Sequence, residues 1–171
     1  MIWLFNIIDV KVALMIGVML LCVSCNSTKN VVHEENINKE KVFLSGNVDK
    51  DLYKEVQQWI GVPYKYGGNS KSGIDCSGLV VQIYNNVYAK KLYRTSYEIY
   101  EKNCKKISVN ELKEGDLLFF NTSKKKNRIN HVGLYLQKDK FVHTSTRKGV
   151  IISDLKNLYY KNCFIAAGRV E

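Results

Sequence analysis

Acidic side chains are scarce in this sequence: 16 Asp and Glu stand against 26 Lys and Arg, a formal net charge of +10 over 171 residues. Such a surface disfavours a basic partner and favours an anionic one. Nucleic acid is one candidate anion, but no motif with groove-entering geometry is present and the aromatics are mostly Tyr inside apolar runs, so nucleic-acid binding is not expected. Anionic wall polymer or membrane lipid remains. Long apolar runs are also missing. The stretch from Val12 to Val23 has no charge but is shorter than the roughly 20 residues a spanning helix needs. There is one proline, Pro63, and no internal repeat or long low-complexity tract, which excludes a repeat array. What is present, 46% hydrophobic residues, suffices for one ordinary core plus an appendage.

The appendage is N-terminal. Lys11 precedes the apolar run, and Ser24, Cys25 and a polar stretch follow it, which reads as an export signal and not a membrane span. Leu21-Cys22-Val23-Ser24-Cys25 resembles a bacterial lipobox, with Cys25 the residue to be acylated and 1–24 the segment removed. Cys22 stands where Leu is usual, and the segment before the run carries only Asp9 and Lys11; a plain cleaved signal is the other reading. Residues 25–48 are polar and aperiodic, a tether in which His33 is a solvated residue. Asn26 after the cysteine favours delivery to an outer membrane.

The folded part is expected over 49–171. Leu52, Val56, Trp59 and Ile60 fall on one face of a helix over 49–60, stopped by Gly61 and Pro63. A Gly-rich loop leads to Asp75, the N-cap of a broadly apolar and well-buried helix over 76–88. Thr95-Ser96-Tyr97-Glu98 matches a capping box and opens a short helix to about Asn103. Strand-like runs follow at 116–121, 131–137, 140–145, 149–153 and 163–170. Helices first and consecutive strands afterwards predict an α+β domain, the helices packed on an antiparallel sheet.

Cys76 opens the apolar helix. There, free backbone N–H groups and the positive helix end are expected to lower its pKa into the activated range of roughly 3.5–7.5 and to receive an oxyanion. The bland reading is a small buried residue. A cysteine nucleophile needs a base, and the base needs a third group to orient it. Outside the tether only His131 and His143 are available, although a strand histidine is more often a hydrogen-bonded structural residue. A two-residue turn at Lys138-Asp139 would pair odd with even residues and send the two histidines to opposite faces, so a three-residue loop or a bulge is required for them to meet. Cys104 and Cys163 remain, as two free thiols or as a disulfide that an oxidising compartment would permit.

Pro63-Tyr64-Lys65-Tyr66-Gly67-Gly68, Gly73-Ile74-Asp75-Cys76-Ser77-Gly78-Leu79-Val80, Arg94-Thr95-Ser96, Gly115-Asp116-Leu117-Leu118-Phe119-Phe120, Asn130-His131-Val132-Gly133-Leu134-Tyr135 and Phe141-Val142-His143 resemble, in order, the motifs of the NlpC/P60 family of cell-wall peptidases. The resemblance covers about residues 50–171 and implies a papain-like α+β fold. It makes Cys76 the nucleophile, His131 the base and His143 the ring-orienting group. By the same resemblance Tyr64 helps bind substrate or the oxyanion, and Asp75 and Ser77 line the cleft. With the lipobox and tether, the chain resembles the small lipoprotein murein endopeptidases. The implied activity is hydrolysis of peptidoglycan stem peptides or crosslinks by a lipid-anchored monomer at the periplasmic face of the outer membrane, with no metal or cofactor. Acyl transfer on the same fold, and a non-catalytic envelope lipoprotein, are the rival readings.

Overall fold

The computed structural model describes residues 49–123 and 128–171. The predicted signal segment, Cys22, Cys25, the tether with His33 and the cluster Lys124-Lys125-Lys126 lie outside the described residues. Helix α1, Lys50–Trp59, is capped by Asp49, whose Oδ1 accepts from the Leu52 N–H at 3.0 Å. It buries Leu52, Val56 and Trp59 as its spacing predicts. Ile60 does not join them: the backbone turns extended there, Gly61 follows at φ 84°, and Ile60 stays exposed. Two-residue strands β1 (Asn69–Ser70) and β2 (Gly73–Ile74) close the Gly-rich loop ahead of α2, Cys76–Tyr88.

Helix α2 buries Leu79, Val80, Ile83 and Tyr84, and α3, Ser96–Asn103, buries Ile99. The predicted capping box at α3 is half formed. Glu98 N–H donates to Thr95 Oγ1 at 3.2 Å, but the Thr95 hydroxyl donates to the Glu98 carboxylate at 2.8 Å, so that carboxylate is drawn to the hydroxyl.

The strands are β3 (Cys104–Ile107), β4 (Leu117–Phe120), β5 (His131–Tyr135), β6 (Lys140–Ser145), β7 (Gly149–Asp154) and β8 (Phe164–Val170), with helix α4, Leu158–Cys163, before the last. They form one antiparallel sheet in the order β3-β8-β4-β5-β6-β7. All of β4 is buried, because both faces of the sheet are covered. One face presents Leu118, Phe120, Phe141 and Ala167, over which Tyr160 of α4 and Phe164 pack. On the other, Phe119 meets Tyr100 of α3 edge-on, and Thr144 Oγ1 donates to the Asp75 carbonyl at 3.3 Å, tying β6 to the start of α2.

The β5–β6 hairpin decides where the histidines go. Leu134 pairs with Val142 and Tyr135 with Phe141, and Leu136 N–H donates to the Lys140 carbonyl, leaving the three-residue loop 137–139. Lys138 and Asp139 take positive φ (52° and 61°) to close it. The even register puts His131 and His143 on one face, the outcome that the parity argument makes a three-residue loop deliver.

A Cys104–Cys163 disulfide is excluded by the same sheet. Cys104 pairs with Val170 at one end of β8, and Cys163 precedes its other end, seven residues away. At about 3.3 Å per residue that is roughly 23 Å, far beyond disulfide reach. Cys76, Cys104 and Cys163 are free thiols.

Candidate active site

Asp75 shapes the entry to α2. Its Oδ1 accepts from the Gly78 N–H (2.7 Å), the Ser77 hydroxyl (3.2 Å) and Arg94 Nη1 (2.9 Å); its Oδ2 accepts from the Gly67 N–H (2.9 Å) and Arg94 Nη2 (2.8 Å). Arg94 also donates to Ser77 Oγ at 2.8 Å and to the Gly68 carbonyl at 3.1 Å. Gly78 has no room for a Cβ, which would fall 2.5 Å from the Gly68 carbonyl oxygen. The Gly67-Gly68 loop, the N-cap and the first turn of α2 are thus one welded unit. Burial alone would raise the Asp75 carboxyl, but the Arg94 guanidinium and the Gly78 and Gly67 amides hold it below the usual carboxylate range.

Ser77 and Asp75 are both buried and engaged with Arg94. Arg94 stands in one of the motifs that carry the family resemblance, yet nothing in its local sequence assigns it a role. Its function here, a bidentate clamp from the α2–α3 connection, depends on a contact across 19 residues that no local pattern announces.

Cys76 is half-buried at the first position of α2, which packs on β5 and β6. The Val132, Ser77 and Cys76 amides favour the thiolate, but burial opposes it more strongly and the Asp75 charge adds to burial, so the thiol is pushed up. The expected lowering by the helix terminus is thus overturned: desolvation outweighs the amides. The Val132 amide sets the sulfur against β5, one residue along the chain from His131. Tyr64, bridged to Ile74, carries a phenol raised by burial and then by the neighbouring Cys76 and Asp75, so it belongs to the same cleft.

His131 Nε2 and His143 Nδ1 stand 3.0 Å apart. His143 is buried, and its Nε2 lies 3.0 Å from both Ser153 Oγ and Tyr160 Oη. Phe141 stacks on it at 5.0 Å between ring centroids. Burial pushes His131 down to about 4; burial, and then His131 itself, push His143 down to about 3. Both rings are uncharged at neutral pH. The arrangement offers a thiol, a neutral imidazole and a second imidazole that orients the first. Ser153 and Tyr160 were missed from sequence; only the register Phe141↔Ser153 and the unforeseen α4 bring them to His143. Among the described residues no three His, Cys, Asp or Glu side chains converge as a metal would need.

Comparison with known proteins gives the same frame. The profile described as "NlpC/P60 family" matches residues 61–169. The murein DD-endopeptidase MepS/murein LD-carboxypeptidase of Escherichia coli K12 is 34% identical over 92% of this chain and 89% of its own length. The probable endopeptidase NlpC of the same strain is 34% identical over 88% of this chain and 94% of its own. Among solved structures, a protein of Staphylococcus aureus Mu50 described as similar to lipoprotein, NLP/P60 family, superimposes with a TM-score of 0.63 at 30% identity, covering 74% of this chain and 44% of that one. The NlpC/p60 domain of the peptidoglycan hydrolase SagA gives 0.60 at 26%, covering 70% and 97%.

Proposed function

The chain belongs to the NlpC/P60 family, and from that premise we propose that it is a peptidoglycan hydrolase, a cysteine endopeptidase acting on stem peptides or their crosslinks. The observation that carries this reading is the imidazole pair, His131 Nε2 to His143 Nδ1 at 3.0 Å, on the strand whose Val132 amide faces the Cys76 sulfur. Thiol and imidazole are uncharged at rest, so His131 takes the Cys76 proton as the sulfur attacks the amide carbonyl and the S–C bond forms. The helix-terminal amides of Cys76 and Ser77, with the Tyr64 hydroxyl, steady the oxyanion. His131 then gives its proton to the leaving amine as the C–N bond breaks. Water, deprotonated by the same ring, releases the acyl group and restores the thiol.

Cys25 is the acylated anchor in this reading and 25–48 the tether. Each buried acyl methylene contributes about 0.8 kcal/mol, so more than one chain holds the enzyme at a membrane surface, working as a monomer on the wall. Cys25→Ser should move the protein from the membrane to the soluble fraction; continued membrane retention refutes the anchor.

The test of activity is mass spectrometry of crosslinked peptidoglycan incubated with the full chain and with Cys76→Ala. Loss of crosslinked dimers identifies a crosslink endopeptidase, and shortened stems identify cleavage within the stem. Amine adducts formed only with added amine would replace hydrolysis by acyl transfer. No Cys76-dependent product, with slow labelling of Cys76 by a thiol reagent, would overturn catalysis in favour of wall binding.

A further inference from the structure

His131 uses Nε2 to meet His143, so Nδ1 is the ring nitrogen left for the proton of Cys76. When His131 carries that proton both its nitrogens bear hydrogen, and the Nε2–H must donate. His143 Nδ1 is therefore required as an acceptor, and the single proton of a neutral His143 must sit on Nε2. The opposite tautomer, with Nδ1–H donating to His131, would leave His131 protonated on the side facing the thiol and unable to act as a base. The histidines alone do not choose between the two.

We propose that Ser153 and Tyr160 are positioning residues that fix the His143 tautomer: their oxygens, each 3.0 Å from Nε2, accept its proton and so keep Nδ1 open toward His131. The donors then run in one direction. His131 Nε2–H donates to His143 Nδ1, His143 Nε2–H to Ser153 Oγ, and the Ser153 hydroxyl to Tyr160 Oη at 3.3 Å. In this direction the Tyr160 O–H points away from Nε2 and the phenol oxygen serves as an acceptor. No covalent bond changes in this relay; it sets where protons rest before the reaction. The burial that keeps His143 neutral is consistent with it, since a doubly protonated ring would need no selection.

The inference rests on the proposed thiol mechanism for its kinetic consequence, but its core is structural and has its own readout. Nitrogen-15 chemical shifts of the imidazoles, measured on the full chain carrying Cys76→Ala, should report His143 as the Nε2–H tautomer. Adding Ser153→Ala and Tyr160→Phe, which keep the strand and the aromatic packing, should shift His143 toward Nδ1–H or a mixture. In the otherwise native chain the double substitution should lower kcat by about 10- to 100-fold with KM little changed, a smaller loss than the roughly 10,000-fold known for a wrong tautomer in a serine triad because removing the two acceptors permits the wrong tautomer without enforcing it. Ser153→Thr, which retains the hydroxyl, should restore most of it in a Tyr160 background. An Nδ1–H His143 in the parent, or a tautomer unmoved by the double substitution, overturns the proposal whatever the activity. A parent without Cys76-dependent turnover instead overturns the catalytic reading, and the nitrogen shifts still decide the tautomer.

Discussion

Gly133→Ala tests the link between sheet register and site. Gly133 lies on the same sheet face as His131, two residues along β5, and a Cβ there would stand 2.6 Å from Phe141 Cδ2 and 3.1 Å from the Val142 carbonyl oxygen. The Phe141 ring cannot easily retreat. It is fully buried, stacked on Phe120 at 5.2 Å and on His143 at 5.0 Å, and edge-on to Tyr160 at 5.0 Å. One methyl group forced into such packing costs about 1–3 kcal/mol. For a domain of this size that is a fall in Tm of roughly 3–15 °C. Thermal unfolding followed by far-ultraviolet circular dichroism measures it. Because Phe141 carries the displacement into His143, turnover at 25 °C should fall while the protein is still folded. Phe141→Leu should make room, so the double substitution should cost less than the sum of the singles. A Tm within about 1 °C of the parent, or strict additivity with Phe141→Leu, would refute the reasoning.

Turnover should persist well below pH 6.5, because His131 stays neutral until about pH 4; an acid limb of kcat/KM near 6.5 would contradict the burial of the pair. The same depression makes the unfolded chain bind more protons between about pH 6.5 and 3, so stability is full above 6.5 and is lost as the pH falls through that window, a loss that pH-dependent urea unfolding detects and that His143→Asn should reduce. Arg94→Ala removes a bidentate partner from buried Asp75; since the Arg94 side chain is 42% exposed, water replaces part of the bond and the expected cost is about 1 kcal/mol by urea unfolding, with Arg94→Lys recovering less than half. Oxidation of the folded protein should yield no Cys104–Cys163 crosslink by non-reducing peptide mapping, and Cys104, pushed up to about 12 by burial, should label slowly at pH 7.5.

What the sequence revealed and what it hid divide along contact range. Helix α2 was legible to the residue because Asp75 caps it locally and its apolar side chains announce burial. Parity demanded a three-residue loop or a bulge between β5 and β6 if both histidines were to share a face, and the register shows the loop. Strand β3 escaped because Lys105 and Lys106 are exposed at an edge and leave only Cys104 and Ile107 half-buried, too weak an alternation to register. Helix α4 has six residues, none buried, and is held by the Asn157 cap and by Tyr160 reaching across the sheet. The partners of His143 and the clamp of Arg94 on Asp75 are tertiary facts. No periodicity encodes them.

Cys76 shows why such facts decide chemistry. The helix terminus with its Cys76 and Ser77 amides argues for a thiolate, and burial beside Asp75 argues against one, more strongly than the Val132 amide of β5 offsets. Sequence supplies the first argument at once, because the N-cap is local; it cannot supply the second, which depends on what β5 and the Gly-rich loop bring to the sulfur. With the thiol raised and both imidazoles lowered, Cys76, His131 and His143 are uncharged at rest, beside the ion pair of Asp75 and Arg94. In the proposed mechanism the proton then moves during attack, which makes the geometry of the His131–His143 pair matter to it. An uncharged thiol is also the form least open to oxidation, since thiolate character and exposure govern that ladder. In the proposed envelope setting, where no cytosolic thiol pool restores a damaged cysteine, a nucleophile formed only when substrate arrives is the more durable arrangement.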